Sequence, residues 1–76
     1  MKLYTGGHLS FYMPGRKQSL ELALDAPTPF IEILAQIGIP PSEVAVTAIN
    51  GELVQAETAI VYNDDQVRVF SAVDGG

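Results

Sequence analysis

Seventy-six residues, 47% of them apolar, make one small domain with a core of modest size. The net charge of −5, nine acids against Lys2, Arg16, Lys17 and Arg68, disfavours nucleic acid and anionic membranes and points to a protein partner with a basic surface. With no cysteine and a single histidine, disulfides, thiolate metal sites, a persulfide carrier and a cysteine nucleophile are excluded, and a multi-histidine site cannot be assembled.

Lys2 to Thr5 reads as a short strand ended by Gly6-Gly7. Leu9, Phe11 and Met13 then alternate with polar residues, which fits either more strand or an irregular loop, before the turn at Pro14-Gly15. Gln18 to Leu24 is the clearest period-two stretch, with Leu20, Leu22 and Leu24 on one face. Asp25-Ala26-Pro27 breaks it. Thr28 and Pro29 have the residue types of a helix N-cap and first helical position. Phe30, Ile33, Leu34 and Ile37 follow at i, i+3, i+4 and i+7, one apolar stripe on a helix of about nine residues. Gly38 stands where a left-handed C-cap belongs, Ile39 can fold back onto Leu34, and Pro40-Pro41 forbids continuation. So short a helix must be held by packing on a sheet.

Val44 to Ile49 is β-branched and apolar on both faces, consistent with a strand buried on at least most of one side. Asn50-Gly51 returns the chain through Glu52-Leu53-Val54 as a hairpin. Gln55 to Tyr62 is ambiguous, read as a helical turn anchored by Ile60. Asn63-Asp64-Asp65 makes a polar turn, and Gln66 to Phe70 closes the sheet. The chain is therefore α+β: a small mixed sheet with one main helix packed on one face. In the last strand Val67 and Val69 face the core, which sends Arg68 and Phe70 outward. Phe70 is then either a protein-binding anchor beside a cation or a ring folded over the sheet edge.

The chemistry-bearing stretch is the end. Ser71 to Gly76 reads as a flexible tail projecting from the domain, with Val73, Asp74 and Gly75 leading to the Gly76 α-carboxylate. Glycines lack Cβ and can thread a channel that a larger side chain would block. The carboxylate, with an ordinary pKa of about 3.3–3.7, is ionised and a poor electrophile. It becomes an acyl donor only when activated, for instance as a mixed anhydride with a nucleotide phosphate, and nothing in this chain performs that step. Elsewhere Asp64-Asp65 reads as a solvated turn rather than a cation site. Tyr4, Tyr12 and Tyr62 read as half-buried packing residues. His8 has no serine or carboxylate at triad spacing, and there is no phosphate-binding glycine loop.

Taken together, these segments resemble the ubiquitin-like β-grasp sulfur carriers of the MoaD/ThiS family. Gly7-His8-Leu9 to Tyr12-Met13-Pro14-Gly15 is similar to the family's segment after its first strand. Ile33-Leu34, Gly38-Ile39-Pro40 and Glu43 resemble its helix end, Val46 to Val54 its hairpin, and Val67 to Gly76 its ending. Three departures stand out: Ser71-Ala72 replaces a Pro-Pro, Asn63-Asp64-Asp65 an Asp-Gly-Asp, and Gly6 an aromatic that some members place in a partner interface.

The resemblance implies a β-grasp fold over residues 1–76, with 71–76 as tail. It implies that Gly76 is adenylated by an ATP-dependent enzyme of the ubiquitin-activating type and converted to a thiocarboxylate. The sulfur would go to molybdopterin or its tungsten counterpart through the large subunit of a molybdopterin-synthase-like enzyme, or to thiazole through a thiazole synthase. Leu53 and Phe70, with Arg68 beside them, correspond to partner-interface positions. The chain itself is expected to be no enzyme and to bind no cofactor or metal, ATP being used by the activating partner.

Two alternatives share parts of this reading: a modifier conjugated to lysines through Gly76, and a β-grasp interaction module that never reacts. No apolar run approaches the roughly 20 residues of a membrane span, and no apolar segment with a cleavage site follows Met1-Lys2. The expected location is the cytoplasm.

Overall fold

A computed structural model describes residues 1–71. Strand β1 (Lys2–Gly6) leads into 3-10 turns at Gly7–Tyr12 and Pro14–Arg16, then β2 (Ser19–Glu21), a two-residue β3 (Thr28–Pro29) and helix α1 (Phe30–Ile37). A further 3-10 turn at Pro41–Glu43 precedes β4 (Val44–Ile49), β5 (Glu52–Val54), β6 (Ile60–Val61) and β7 (Gln66–Ser71). Five strands form one sheet in the order β2-β1-β7-β4-β5, and β3 pairs with β6 apart from it. Only β1 and β7 run parallel, with Leu3 opposite Val67 and Thr5 opposite Val69; the other neighbours are antiparallel. The last strand therefore lies in the middle of the sheet, and Ser71, expected in the tail, is its final residue, opposite Val44. The expected projection of residues 72–76 lies outside the described residues.

Alternation and the helical stripe meet in one core. Leu3, Val67 and Val69 from the central strands, Phe30, Ile33 and Leu34 from α1, and Val61 from β6 are all fully buried. Each such aliphatic or aromatic side chain contributes about 1.5–3 kcal/mol by leaving water, which holds a helix of eight residues that would be marginal alone. The helix ends as its sequence requires. Gly38 adopts φ 99°, and the Gly38 and Ile39 amides both donate to the Leu34 carbonyl, at 2.8 and 2.9 Å. Ile39 is buried by that reversal.

The helix start differs from expectation. Thr28 does not cap it; its hydroxyl donates to the Ala26 carbonyl at 2.9 Å, and both Thr28 and Pro29 are spent on pairing with Val61 and Ile60. The first helical amide, Phe30, donates across to the Ala59 carbonyl at 2.9 Å, so the orphan donor is met by a neighbouring loop. That loop begins with one helical turn on Gln55, whose carbonyl accepts from the Thr58 and Ala59 amides. The anchor beyond it is Val61, fully buried, and not Ile60, which is 43% exposed.

Leu9, Phe11 and Met13 would share one face of a strand. In a 3-10 turn i and i+3 coincide instead: Leu9 and Tyr12 turn toward the core and Phe11 is thrown outward, 61% exposed. The period-two run after it pairs only over Ser19–Glu21, though Leu22 and Leu24 still pack on the core. At the other end of the sheet Asn50 and Gly51 take φ 52° and 86°, the positive pair that a tight hairpin needs. Asn50 also fixes where β7 begins. Its side-chain oxygen accepts from the Gln66 amide at 3.0 Å, and its side-chain nitrogen donates to Asp65 at 2.9 Å. Asp65 accepts from the Tyr62 amide at 2.8 Å as well, so this acid builds its own turn.

Among the described residues one buried side-chain polar atom is unsatisfied. The Thr47 hydroxyl, on a residue 3% exposed between Val69 and Val54, has no hydrogen-bond partner among the described residues. An orphaned hydroxyl of this kind is costly, whereas an isosteric methyl is not. Thr47→Val is therefore expected to stabilise the fold by about 1 kcal/mol, read as a higher urea midpoint; an unchanged or lower midpoint would show that the hydroxyl is satisfied in solution.

Candidate functional site

The helix covers one face of the sheet and, among the described residues, nothing covers the opposite one, so strand parity decides what is displayed. Inward go Leu3, Thr5, Val67, Val69, Thr47 and Ile49; outward go their neighbours. One outward row crosses the sheet as Ser19, Tyr4, Arg68, Ala48 and Leu53, and the next runs Gly6, Phe70 and Val46. Val44–Ile49 is thus buried on one side only, and Val46 stands 42% exposed on the other.

The three residues expected at an interface share this face. Leu53 is 78% exposed at its edge, Phe70 is 44% exposed near its centre, and the Arg68 guanidinium lies 5.0 Å from the centroid of the Tyr4 ring. Phe70 is too central to fold over an edge. Its ring lies across Gly6 instead and leaves no room there for even a methyl group: a Cβ on Gly6 would stand 2.4 Å from Phe70 Cδ1. The backbone of Gly6 is ordinary extended chain, so glycine is needed there for room and not for conformation. Val46 faces Phe70 from the other side, and ring, glycine and valine form one apolar floor.

Where β7 ends, the Gly7–Tyr12 turn is tied to it: the His8 amide donates to the Ser71 hydroxyl at 3.2 Å. Phe11, further along that turn, stacks edge-on with Tyr12 at 5.5 Å and carries the Arg16 guanidinium over its face at 4.8 Å. Val73, Asp74, Gly75 and Gly76 lie outside the described residues. At the far end of β7 there is an open depression of about 340 Å³ between the hairpin and β6, with Asn50, Leu53, Ile60, Tyr62 and Asp65 among its walls. Asp65 is engaged in the hydrogen bonds of its turn there. Among the described residues no three histidine, aspartate or glutamate side chains converge as metal ligands, and no helix is long and apolar enough to cross a membrane.

The sequence pattern of β4 does not single out Val46 and Ala48: the polar Thr47 between them reads as the outward residue, yet it is the buried one and Val46 the exposed one. Tyr4 belongs with them as a platform for cations. Its ring takes Arg68 on the sheet and Lys2 at 5.5 Å.

A five-stranded mixed sheet crossed by one helix, with parallel first and last strands side by side at its centre, defines an α+β domain of the ubiquitin-like β-grasp type. The chain belongs to the ThiS family, whose model matches residues 13–76, from the second 3-10 turn through both terminal glycines. No individual curated protein matches it. Members of this family are small sulfur carriers that work with partner enzymes and are not catalysts themselves.

The contact between Phe70 and Gly6 is open to test. Gly6→Ala is expected to destabilise the fold by about 1–3 kcal/mol through overpacking, and to lose most of that penalty in a Phe70→Ala background, where the methyl has space. Urea denaturation of the four proteins gives the coupling; additive effects would mean that the ring does not rest on Gly6.

Proposed function

We propose that this chain carries sulfur as a thiocarboxylate on Gly76. The carboxylate attacks the α-phosphorus of ATP in the active site of an adenylating partner of the ubiquitin-activating type, and pyrophosphate leaves. A sulfur nucleophile brought by a partner then displaces AMP from the acyl adenylate. Gly76 is the reacting residue and Gly75 the spacer, with Val73 and Asp74 between them and the domain. The observation that carries this reading is the family match, whose bounds, residues 13–76, take in Gly75-Gly76. The chain supplies no activating machinery, so ATP and its chemistry belong to the partner and no cofactor is resident here.

Phe70, Leu53 and Arg68 are the contacts by which a partner holds the domain while the tail is worked on. Their support is exposure on one face and the position of Phe70 one residue before the end of β7. A flat sheet face with an exposed aromatic and a stacked arginine has the residue types in which binding energy concentrates. The receiving enzyme is the large subunit of a molybdopterin-synthase-like complex in preference to a thiazole synthase. What supports that preference is the Gly7–Tyr12 segment, which resembles the molybdopterin-type members and falls before the matched residues. A small acidic carrier acting between such enzymes belongs in the cytoplasm.

Intact mass measured on the protein from its native cell is expected to show a second species, heavier by the difference between sulfur and oxygen. Removal of Gly76 is expected to abolish ATP–pyrophosphate exchange with the adenylating partner while leaving the urea midpoint unchanged. A ladder of covalent adducts on denaturing gels with no heavier free species would assign the chain to protein conjugation. Full function without Gly76 would defeat acyl chemistry altogether.

A further inference from the structure

The chain is acidic, yet its bases are not spread through it. Lys2 and Arg68 occupy outward positions of β1 and β7, and Arg16 and Lys17 sit in the connection beside them, where the Thr5 amide meets the Gln18 carbonyl at 2.9 Å. These are all four bases of the chain. Opposite Lys2, Glu21 is the one acid at an outward strand position among the described residues. The other described acids, Asp25, Glu32, Glu43, Glu52, Glu57, Asp64 and Asp65, lie on turns, on the hairpin edge or on α1, and of these Asp65 adjoins a base, its carbonyl accepting from the Lys2 amide at 3.0 Å. Glu43 is the one that comes near the end of β7, preceding the Val44 that faces Ser71.

Among the described residues none of the bases forms an ion pair with a carboxylate, and three lie over aromatic rings instead: Lys2 and Arg68 over Tyr4, Arg16 over Phe11. A ring holds a cation in place without neutralising it. Arg16 is moreover held at φ 55°, a conformation that costs a non-glycine residue on the order of 1 kcal/mol.

We propose that the outward sheet face, with the Arg16-Lys17 connection at its flank, docks onto a protein surface that is apolar at its centre and acidic around it. Resting on the carrier reading above, this names the surface chemistry of the adenylating partner. Net charge alone suggests a basic partner, but charge is felt over only about 10 Å at 0.1 M salt, so at contact the local excess of positive charge decides. Phe70, Val46, Ala48 and Leu53 meet the apolar centre; Lys2, Arg16, Lys17 and Arg68 meet the acidic rim. A second copy of this chain does not fit, because face against face brings like charges together.

Two measurements test the proposal. In ATP–pyrophosphate exchange with the adenylating partner, KM for the wild-type carrier is expected to rise with NaCl. Arg16→Glu/Lys17→Glu and Arg68→Glu should each raise KM about tenfold at low salt, while Glu32→Lys, the same kind of charge change on the helix side, should not. A salt-independent KM, a lower KM on charge reversal, or an equal effect of Glu32→Lys would overturn the proposal. Independently of any enzyme, hexaglutamate at low salt should shift the NMR amide signals around Tyr4, Phe11, Arg16 and Arg68 and leave Glu32, Glu52 and Glu57 unmoved. Scattered or absent shifts would overturn it. If the wild-type chain supports no exchange at all, the carrier reading fails, and the hexaglutamate map by itself decides whether the face is built for acidic surfaces.

Discussion

Everything displayed by this domain depends on the last strand being paired on both sides. With β1 parallel to it on one flank and β4 antiparallel on the other, β7 has no free edge over its shared length. Val67 and Val69 lock it onto the helix side, and the Asn50 side chain and Asp65 define its first residue. Once those residues are fixed, alternation leaves Arg68 and Phe70 no choice of face. A one-residue slip would bury a guanidinium and expose two valines, so the hydrophobic core and the displayed surface enforce one another.

Most of this architecture was legible in the sequence because its signals are local. The stripe of α1, the glycine stop at Gly38 followed by Pro40-Pro41, and the Asn50-Gly51 turn each need only a few neighbouring residues. Two other local signals misled. Thr28-Pro29 has the residue types of a helix start, but the same two residues meet β6 in a short ladder, and pairing with a distant strand overrode capping. Leu9, Phe11 and Met13 alternate like a strand, yet a 3-10 turn gave Phe11 a different direction from its neighbours.

The face was legible in part. Arg68, Phe70 and Leu53 follow from parity and from resemblance, but the company they keep does not. That Gly6 leaves space for the Phe70 ring, and that Tyr4 lies beneath Arg68, are facts of strand order, joining residues more than sixty positions apart. Gly6 in sequence is a missing aromatic; in the fold it is the seat of one supplied from elsewhere. Charge behaves likewise, since a composition gives a sum and only a fold gives a distribution.

The side-by-side placement of residues 2–6 and 66–70 also bears on how such a protein is made. Contacts between segments so far apart in sequence form late, because the long loop between them must first be closed. A ribosome that has released the first sixty residues has exported both margins of the sheet but not its middle plank. Until that plank arrives, the apolar faces meant to clasp it stay wet, so maturation of the globule coincides with delivery of the glycines behind it.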